Sequence, residues 1–252
     1  MAAMFEQRTA LITGSSSGIG AGVAAAFAAE GAKVVINYPG PSQLANAQAL
    51  VDSITSAGGT AIAVEADVSS EAAVNAMVDA AEAQLGPVDI LVNNAGIANV
   101  APVHELDVGD WDRLFAVHVR SMFLATRRVL PGMYERDYGR IINTASQLAY
   151  KGAPGLTHYT ACKGAILSFT RSVALEVGSR NVNVNAVAPG ATRTPILDDV
   201  DPEILEAIRA AIPKGRLAEV DDIVPSYLFL ASEGARHIQG QCISPNGGDM
   251  FL

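Results

Sequence analysis

Short runs of β-branched and aliphatic residues alternate with longer, alanine-rich segments of helical period along most of this chain. That alternation leaves little choice of fold, because strands joined by helices run parallel and the helices then cover both faces of the sheet. Candidate strands are Thr9–Thr13, Lys33–Asn37, Thr60–Glu65, Val88–Val92, Arg140–Thr144, Val182–Val187 and Gln241–Ser244. Candidate helices are Gly18–Glu30, Ser42–Ala57, Glu71–Leu85, Trp111–Arg136, His158–Val177 and Val220–Ser232. Strands covered on both faces read as continuous apolar runs, and these do. The expectation is a doubly wound α/β fold of about seven parallel strands. With no linker, repeat or low-complexity tract, residues 1–252 form one domain in this reading.

Half of the residues are hydrophobic and 17% are charged, enough apolar surface for a large core. A formal net charge of −9 argues against surfaces that track nucleic-acid phosphates or anionic lipid. It does not oppose a nucleotide held locally by backbone N–H groups. Cys162 and Cys242, the two cysteines, stand in no metal-like spacing and point to a reducing compartment. No apolar stretch approaches the roughly 20 residues of a membrane span. These features lead to an expected cytoplasmic protein with a small-molecule substrate, no nucleic-acid or membrane partner and no catalytic metal.

After the first strand comes Thr13-Gly14-Ser15-Ser16-Ser17-Gly18-Ile19-Gly20, running straight into a helix. Glycines allow a sharp turn and close approach to a diphosphate, while the new helix presents free N–H groups and a positive dipole end. The spacing departs from the common G-x-G-x-x-G fingerprint. The second strand ends Ile36-Asn37-Tyr38-Pro39-Gly40, without the carboxylate that often holds an adenosine ribose diol. Nothing there repels a 2′-phosphate, and Tyr38, Ser17 and Ser42 can donate hydrogen bonds to one. This reading favours NADP slightly and leaves NAD open.

Ser146 stands at the end of the fifth strand, and Tyr159 and Lys163 follow, four apart on one helix face. A free phenol, with a pKa near 10, is a poor acid–base catalyst at neutral pH. A neighbouring ammonium favours the phenolate, an oxidised nicotinamide favours it further, and a serine hydroxyl can hold the substrate oxygen.

Taken in order and spacing, the Gly turn, Asn93-Asn94-Ala95-Gly96, Ser146, Tyr159-x-x-x-Lys163, Pro189-Gly190 and Asn246-Gly247-Gly248-Asp249 resemble the short-chain dehydrogenase/reductase family, in its single-domain branch. The resemblance implies a Rossmann-type fold and a nicotinamide-dependent exchange between secondary alcohols and ketones. It places Gly14, Ser16, Gly18, Ile19 and Gly20 at the cofactor's diphosphate and ribose, and Asp67 and Val68 at its adenine. Asn94, Ala95 and Gly96 line the passage to the nicotinamide, against which Pro189, Gly190, Thr192 and Thr194 pack. Tyr159 and Lys163 also hold the nicotinamide ribose. Where relatives carry the asparagine of a proton relay, seven residues after Trp111, this chain has His118. A histidine keeps the main-chain carbonyl that such a relay uses.

Gln147, Leu148, Tyr150 and Leu156 are expected to wall the substrate pocket beside Ser146 and Tyr159. The acidic segment at about 191–215 (Asp198, Asp199, Asp201, Glu203, Glu206) follows the sixth strand and is expected to act as a lid. His158, His104 and His237 are expected at the surface. Stretches such as Val34–Tyr38 and Ala191–Ile196 resemble bacterial sugar dehydrogenases, so the expected substrate is a small neutral carbonyl compound or sugar. The overall pattern equally resembles 3-oxoacyl carrier-protein reductases. Those tend to have a basic residue where Asp137 stands, although their second basic contact is matched by Arg180. A third reading, a non-catalytic NAD(P)-binding regulator, is opposed by the presence of both Tyr159 and Lys163. Apolar residues on more than one face of the two long helices (Val117, Phe123, Leu124, Ala161, Ile166, Phe169, Val173) suggest a homo-oligomer, and the resemblance, whose members pair these helices between subunits, implies a homotetramer.

Overall fold

A computed structural model describes residues 3–198 and 200–251, so Asp199 lies outside the described residues. Seven parallel strands form one sheet in the order β3-β2-β1-β4-β5-β6-β7. They are β1 (Thr9–Ile12), β2 (Lys33–Tyr38), β3 (Thr60–Glu65), β4 (Val88–Asn93), β5 (Gly139–Thr144), β6 (Val182–Val187) and β7 (Cys242–Ile243). The order reverses at β1, and the carboxyl ends of β1 and β4 flank that switch, where ligands bind in such sheets.

One face is covered by α1 (Gly18–Ala29), α2 (Leu44–Ser56) and α9 (Val220–Ala231), the other by α3 (Glu71–Leu85), α5 (Ser121–Glu135) and α7 (Thr157–Glu176), which the single turn α6 (Leu148–Lys151) precedes. Side chains alternate between two cores: Ile12 and Ile36 face the first, Leu11 and Val35 the second. All four are fully buried, as continuous apolar strands require. Helix starts follow local chemistry. Ser70 caps α3 by accepting from the Ala73 N–H, and Glu219 and Asp222 form a reciprocal capping box on α9.

The expected helix Trp111–Arg136 is interrupted. It runs as α4 (Val108–Phe115), a π turn (Ala116–Arg120) and then α5. A π turn holds one residue more than an α-helical turn and leaves a carbonyl without its usual partner; here the Ser121 hydroxyl donates to the Val117 carbonyl. The acidic segment folds as a short 3₁₀ turn (Pro195–Leu197) and α8 (Pro202–Ala211), the latter with no fully buried residue. Among the described residues, no helix is long and apolar enough to cross a membrane.

Candidate active site

The turn after β1 is clamped from both sides. Gly14 has φ +61°, the left-handed region that favours glycine, and a Cβ there would sit 2.7 Å from the Ala95 Cα. Its N–H donates to Asn37 Oδ1 at 2.9 Å, while Asn37 Nδ2 donates to the Ala66 carbonyl at 3.0 Å. From the other side, Asn94 Nδ2 donates to the carbonyls of Thr13 and Gly14, each at 3.0 Å. The Asn94 and Ala95 N–H groups donate to Thr13 Oγ1 at 3.0 and 3.1 Å. Ser17 precedes α1 in an extended conformation and its side chain does not cap the helix. The first-turn N–H groups therefore stay available to an anion, and this rigid cradle fits a dinucleotide's diphosphate.

At the neighbouring corner, Asp67 accepts from the Ser69 N–H and hydroxyl and pairs with Arg113 at 3.1 Å. Burial pushes its carboxyl up, but the Ser69 and Arg113 contacts outweigh that and hold it below the usual range. Val68 is buried beside it, and Ser16 Oγ lies 3.3 Å from Gln43 Oε1. The Tyr38 ring is packed into the core, so Ser17 and Ser42 remain as the more accessible hydroxyls of those three.

The second cluster gathers at the end of β5. Lys163 is buried, and its Nζ donates to the Thr144 carbonyl at 2.8 Å and lies 5.4 Å from the Tyr159 ring centroid. The Tyr159 phenol faces the Ser146 side chain; burial pushes the phenol up, against the opposing pull of that neighbour. Burial pushes the Lys163 ammonium down to about 8. The expected depression of the phenol by Lys163 is therefore absent in the free chain, where desolvation dominates. What stands there is a neutral phenol with an ammonium that holds its own proton weakly. A buried relay, Asn93 Nδ2 to Asn143 Oδ1 and Asn143 Nδ2 to Thr170 Oγ1 (both 2.9 Å), ties α7 to β4 and β5.

His118 occupies the middle of the π turn. Its Nε2 lies 2.7 Å from the Ile97 carbonyl and 3.1 Å from the Ile97 N–H, and its ring meets Tyr159 edge-on at 5.5 Å. The ring fills the space over Gly96, where a Cβ would fall 2.5 Å from His118 Cε1. Burial, with Lys163 nearby, pushes its pKa down to about 3, so the imidazole is neutral at physiological pH.

Two expected placements fail as well. His158 is fully buried, not at the surface, and its Nε2 donates to Asn99 Oδ1 at 2.8 Å. The loop after β4 roofs the start of α7, with Ala101 N–H on the Gly155 carbonyl at 3.0 Å. Tyr150 is exposed, with Cys242 of β7 beside it, so it lies toward the sheet edge and not at the Ser146–Tyr159 pair. His104 and His237 are exposed as expected.

Pro189 and Gly190 pass close to Ser146, with the Gln147 N–H on the Pro189 carbonyl at 3.0 Å. Thr192 Oγ1 donates to the Gly190 carbonyl and Thr194 Oγ1 to the Thr192 carbonyl, at 2.9 and 3.3 Å. Gln147 is buried, while Leu148 and Leu156 are partly exposed at the rim. Sequence reasoning missed Asn37, Thr144 and Asp249 as supports of the two clusters. A polar asparagine ending an otherwise apolar strand was the available signal for Asn37.

The family model described as enoyl-(acyl carrier protein) reductase matches residues 14–249. The 3-oxoacyl-[acyl-carrier-protein] reductase FabG of Staphylococcus aureus is 36% identical over 241 residues, covering 96% of this chain and 97% of that protein. A short-chain dehydrogenase/reductase from Serratia marcescens superposes with TM-score 0.92 at 33% identity, covering 98% of this chain and 99% of that one. A blue fluorescent protein from a metagenomic library, solved with NADPH, gives TM-score 0.92 at 35% identity, over 98% and 100% of the two chains. These likenesses make the chain a member of the short-chain dehydrogenase/reductase family, oxidoreductases that interconvert secondary alcohols and ketones with a nicotinamide cofactor.

Proposed function

We propose that this protein is an NADP-dependent dehydrogenase or ketoreductase of small neutral secondary alcohols and ketones, sugars included. The observation that carries the reading is the contact of the Tyr159 phenol with Ser146, with Lys163 buried one turn away. Gly14, Ser16, Gly18, Ile19 and Gly20 hold the diphosphate, Asp67 and Val68 flank the adenine, and Asn94, Ala95 and Gly96 line the passage. Pro189, Gly190, Thr192 and Thr194 pack against the nicotinamide, which when bound supplies or takes up the hydride. Ser146 donates a hydrogen bond to the substrate oxygen. Tyr159 gives that oxygen its proton in reduction and removes it in oxidation, and Lys163 supports the phenolate. His118, neutral, sets the π turn beside Tyr159 and carries no proton itself.

The missing carboxylate at the end of β2 supports NADP over NAD, as does the NADPH bound by the metagenomic relative. A neutral substrate is supported by the pairing of Lys151 with Asp249 at 2.7 Å, which leaves that ammonium already neutralised. The second reading, reduction of a 3-oxoacyl carrier-protein substrate, is supported by the FabG likeness and by exposed Arg180, stacked on Tyr134 at 4.4 Å. Against it stands Asp137, which accepts from the Asn181 N–H at 3.0 Å.

The acidic segment at about 191–215 acts as a lid over the crevice. A homotetramer is supported by exposed Phe123 on α5 and Leu175 on α7; Val117, Leu124, Ile166 and Val173 serve the chain's own core. The unpaired cysteines fit a cytoplasmic location. Tyr159→Phe tests the chemistry: NADPH affinity and folding should persist while kcat falls by roughly 10²–10⁴-fold. More than about a tenth of parental turnover would mean that another group moves the proton.

A further inference from the structure

Tyr159 is the third residue of α7, and the turn that carries it starts without a cap. Leu156 precedes the helix and offers no side-chain acceptor to the first N–H groups. That turn is held instead by the loop after β4. The Ala101 N–H donates to the Gly155 carbonyl, and a Cβ on Gly155 would fall 2.7 Å from Val100 Cγ1. Asn99 provides the polar contact. Its Nδ2 donates to Asp110 Oδ2 at 2.8 Å, and a carboxylate oxygen only accepts, so the amide's Oδ1 faces the other way. There it accepts from Nε2 of buried His158, the residue before Tyr159, at 2.8 Å.

Asp110 belongs to α4, of which Leu114 alone is buried, so polar contacts largely decide how this helix sits. Three positions on, on the same helix face, Arg113 donates to Asp67 Oδ2 at 3.1 Å and to Ser69 Oγ at 2.8 Å. α4 packs on α7 and runs on into the π turn that sets His118 edge-on to Tyr159. A continuous path therefore joins the corner at Asp67 to the turn that carries Tyr159, through Arg113, α4, Asp110, Asn99 and His158. The Asp67–Arg113 pair is its open end: 43% and 49% of the two side chains are exposed, and water screens a pair so placed. A base seated against Asp67 would displace that water and strengthen the pair.

We propose that Arg113, Asp110 and Asn99 are positioning residues that couple the two ends of the crevice: with an adenine at Asp67, they pin α4 and tighten the uncapped turn that carries Tyr159. This rests on the proposed function, which puts the adenine at Asp67 and the proton transfer at Tyr159. Binding energy from the half of the cofactor that does not react is thereby used to orient the group that does.

The test uses adenosine 2′,5′-bisphosphate and AMP, the adenosine halves of NADP and NAD, so its main readout needs no turnover. Calorimetry gives their affinities, and amide hydrogen exchange follows residues 157–160 with and without the tighter one. In the parent, exchange there should slow by roughly 2–30-fold on binding, the range over which such chains transmit. Asp110→Ala, at an exposed position away from Asp67, should abolish the slowing and lower kcat with NADPH several-fold, while the nucleotide still binds. Asp110→Asn keeps an acceptor for Asn99 and should retain both the slowing and the turnover. Asn99→Asp, which keeps the acceptor for His158 but sets its carboxylate against Asp110, should behave as Asp110→Ala does. A nucleotide that binds the parent without slowing exchange overturns the proposal, as does slowing that survives in Asp110→Ala; either result spares the proposed function. Asp110-dependent slowing in a protein that turns over no alcohol or ketone keeps this inference and sinks the proposed function. Binding of neither nucleotide overturns both.

Discussion

The two ends of the crevice are built on opposite principles. At the proposed cofactor end, the turn after β1 is sewn to β2, β3 and β4 by side-chain hydrogen bonds involving Asn37, Asn94, Thr13 and Ser15. At the catalytic end, buried ionisable groups stand far from their ordinary titration ranges, and the unpartnered buried atoms His118 Nδ1, His158 Nδ1 and Gln147 Oε1 lie there. One end is completed by the fold itself. The other holds groups in states that water would not favour, which is the usual physical condition of reacting side chains. Substitutions at the first end should therefore damage the fold, and those at the second should damage turnover.

Lys163→Met should show this most strongly. Turnover should fall by roughly 10²–10⁴-fold, yet the cofactor-free protein should melt at the same temperature or higher at pH 7. The sign follows from linkage. With the folded pKa near 8 against 10.5 for an unperturbed lysine, the unfolded chain binds more protons between those values. The parent's stability should then rise as pH climbs through that window, while the Met variant lacks this rise. A drop in melting temperature of more than a few degrees would mean that the Thr144 hydrogen bond outweighs the desolvation.

Gly20→Ala is the mirror case. Its Cβ would fall 2.5 Å from both Asn94 Nδ2 and the Gly14 carbonyl oxygen. Chemical denaturation without any ligand should show a loss of about 1–3 kcal/mol. Unchanged stability would show that the cradle is softer than its hydrogen bonds indicate. The smallest effect belongs to His118. His118→Asn should stay within a few-fold of parental kcat, since an amide can also reach the Ile97 backbone, whereas His118→Ala should lose more. Equal rates for both would remove the imidazole from the architecture of the site.

The fold was legible because periodicity reports burial on two faces directly, and strand boundaries such as β1 at Thr9–Ile12 differ from the reading by a single residue. Ser146, Tyr159 and Lys163 were legible as a spaced set, and they converge as that spacing required. What stayed hidden depends on long-range packing. No local signal tells that His158 will lie under the loop carrying Asn99, or that Asp249 will face Gln147 across 102 positions. The state of Tyr159 was hidden for another reason. Sequence names its charged neighbour, but how far water is excluded is a property of the assembled crevice.

The interruption between α4 and α5 has a consequence for how this chain tolerates length changes. Five residues, Ala116–Arg120, occupy a stretch that a continuous α-helix would close with one fewer. Removing a single residue there, Val119 for instance, lets the segment relax into unbroken helix, the favoured state of a polypeptide in that environment. Because the π turn takes up its extra residue without changing the phase of the flanks, the deletion would leave α4 and α5 in place and remove the widened turn that brings His118 to Ile97 and Tyr159. The expected product is a folded protein with a lowered kcat, because the wall beside Tyr159 is lost. Loss or gain of a single codon at this point is thus a way to weaken or restore the site without unfolding the chain.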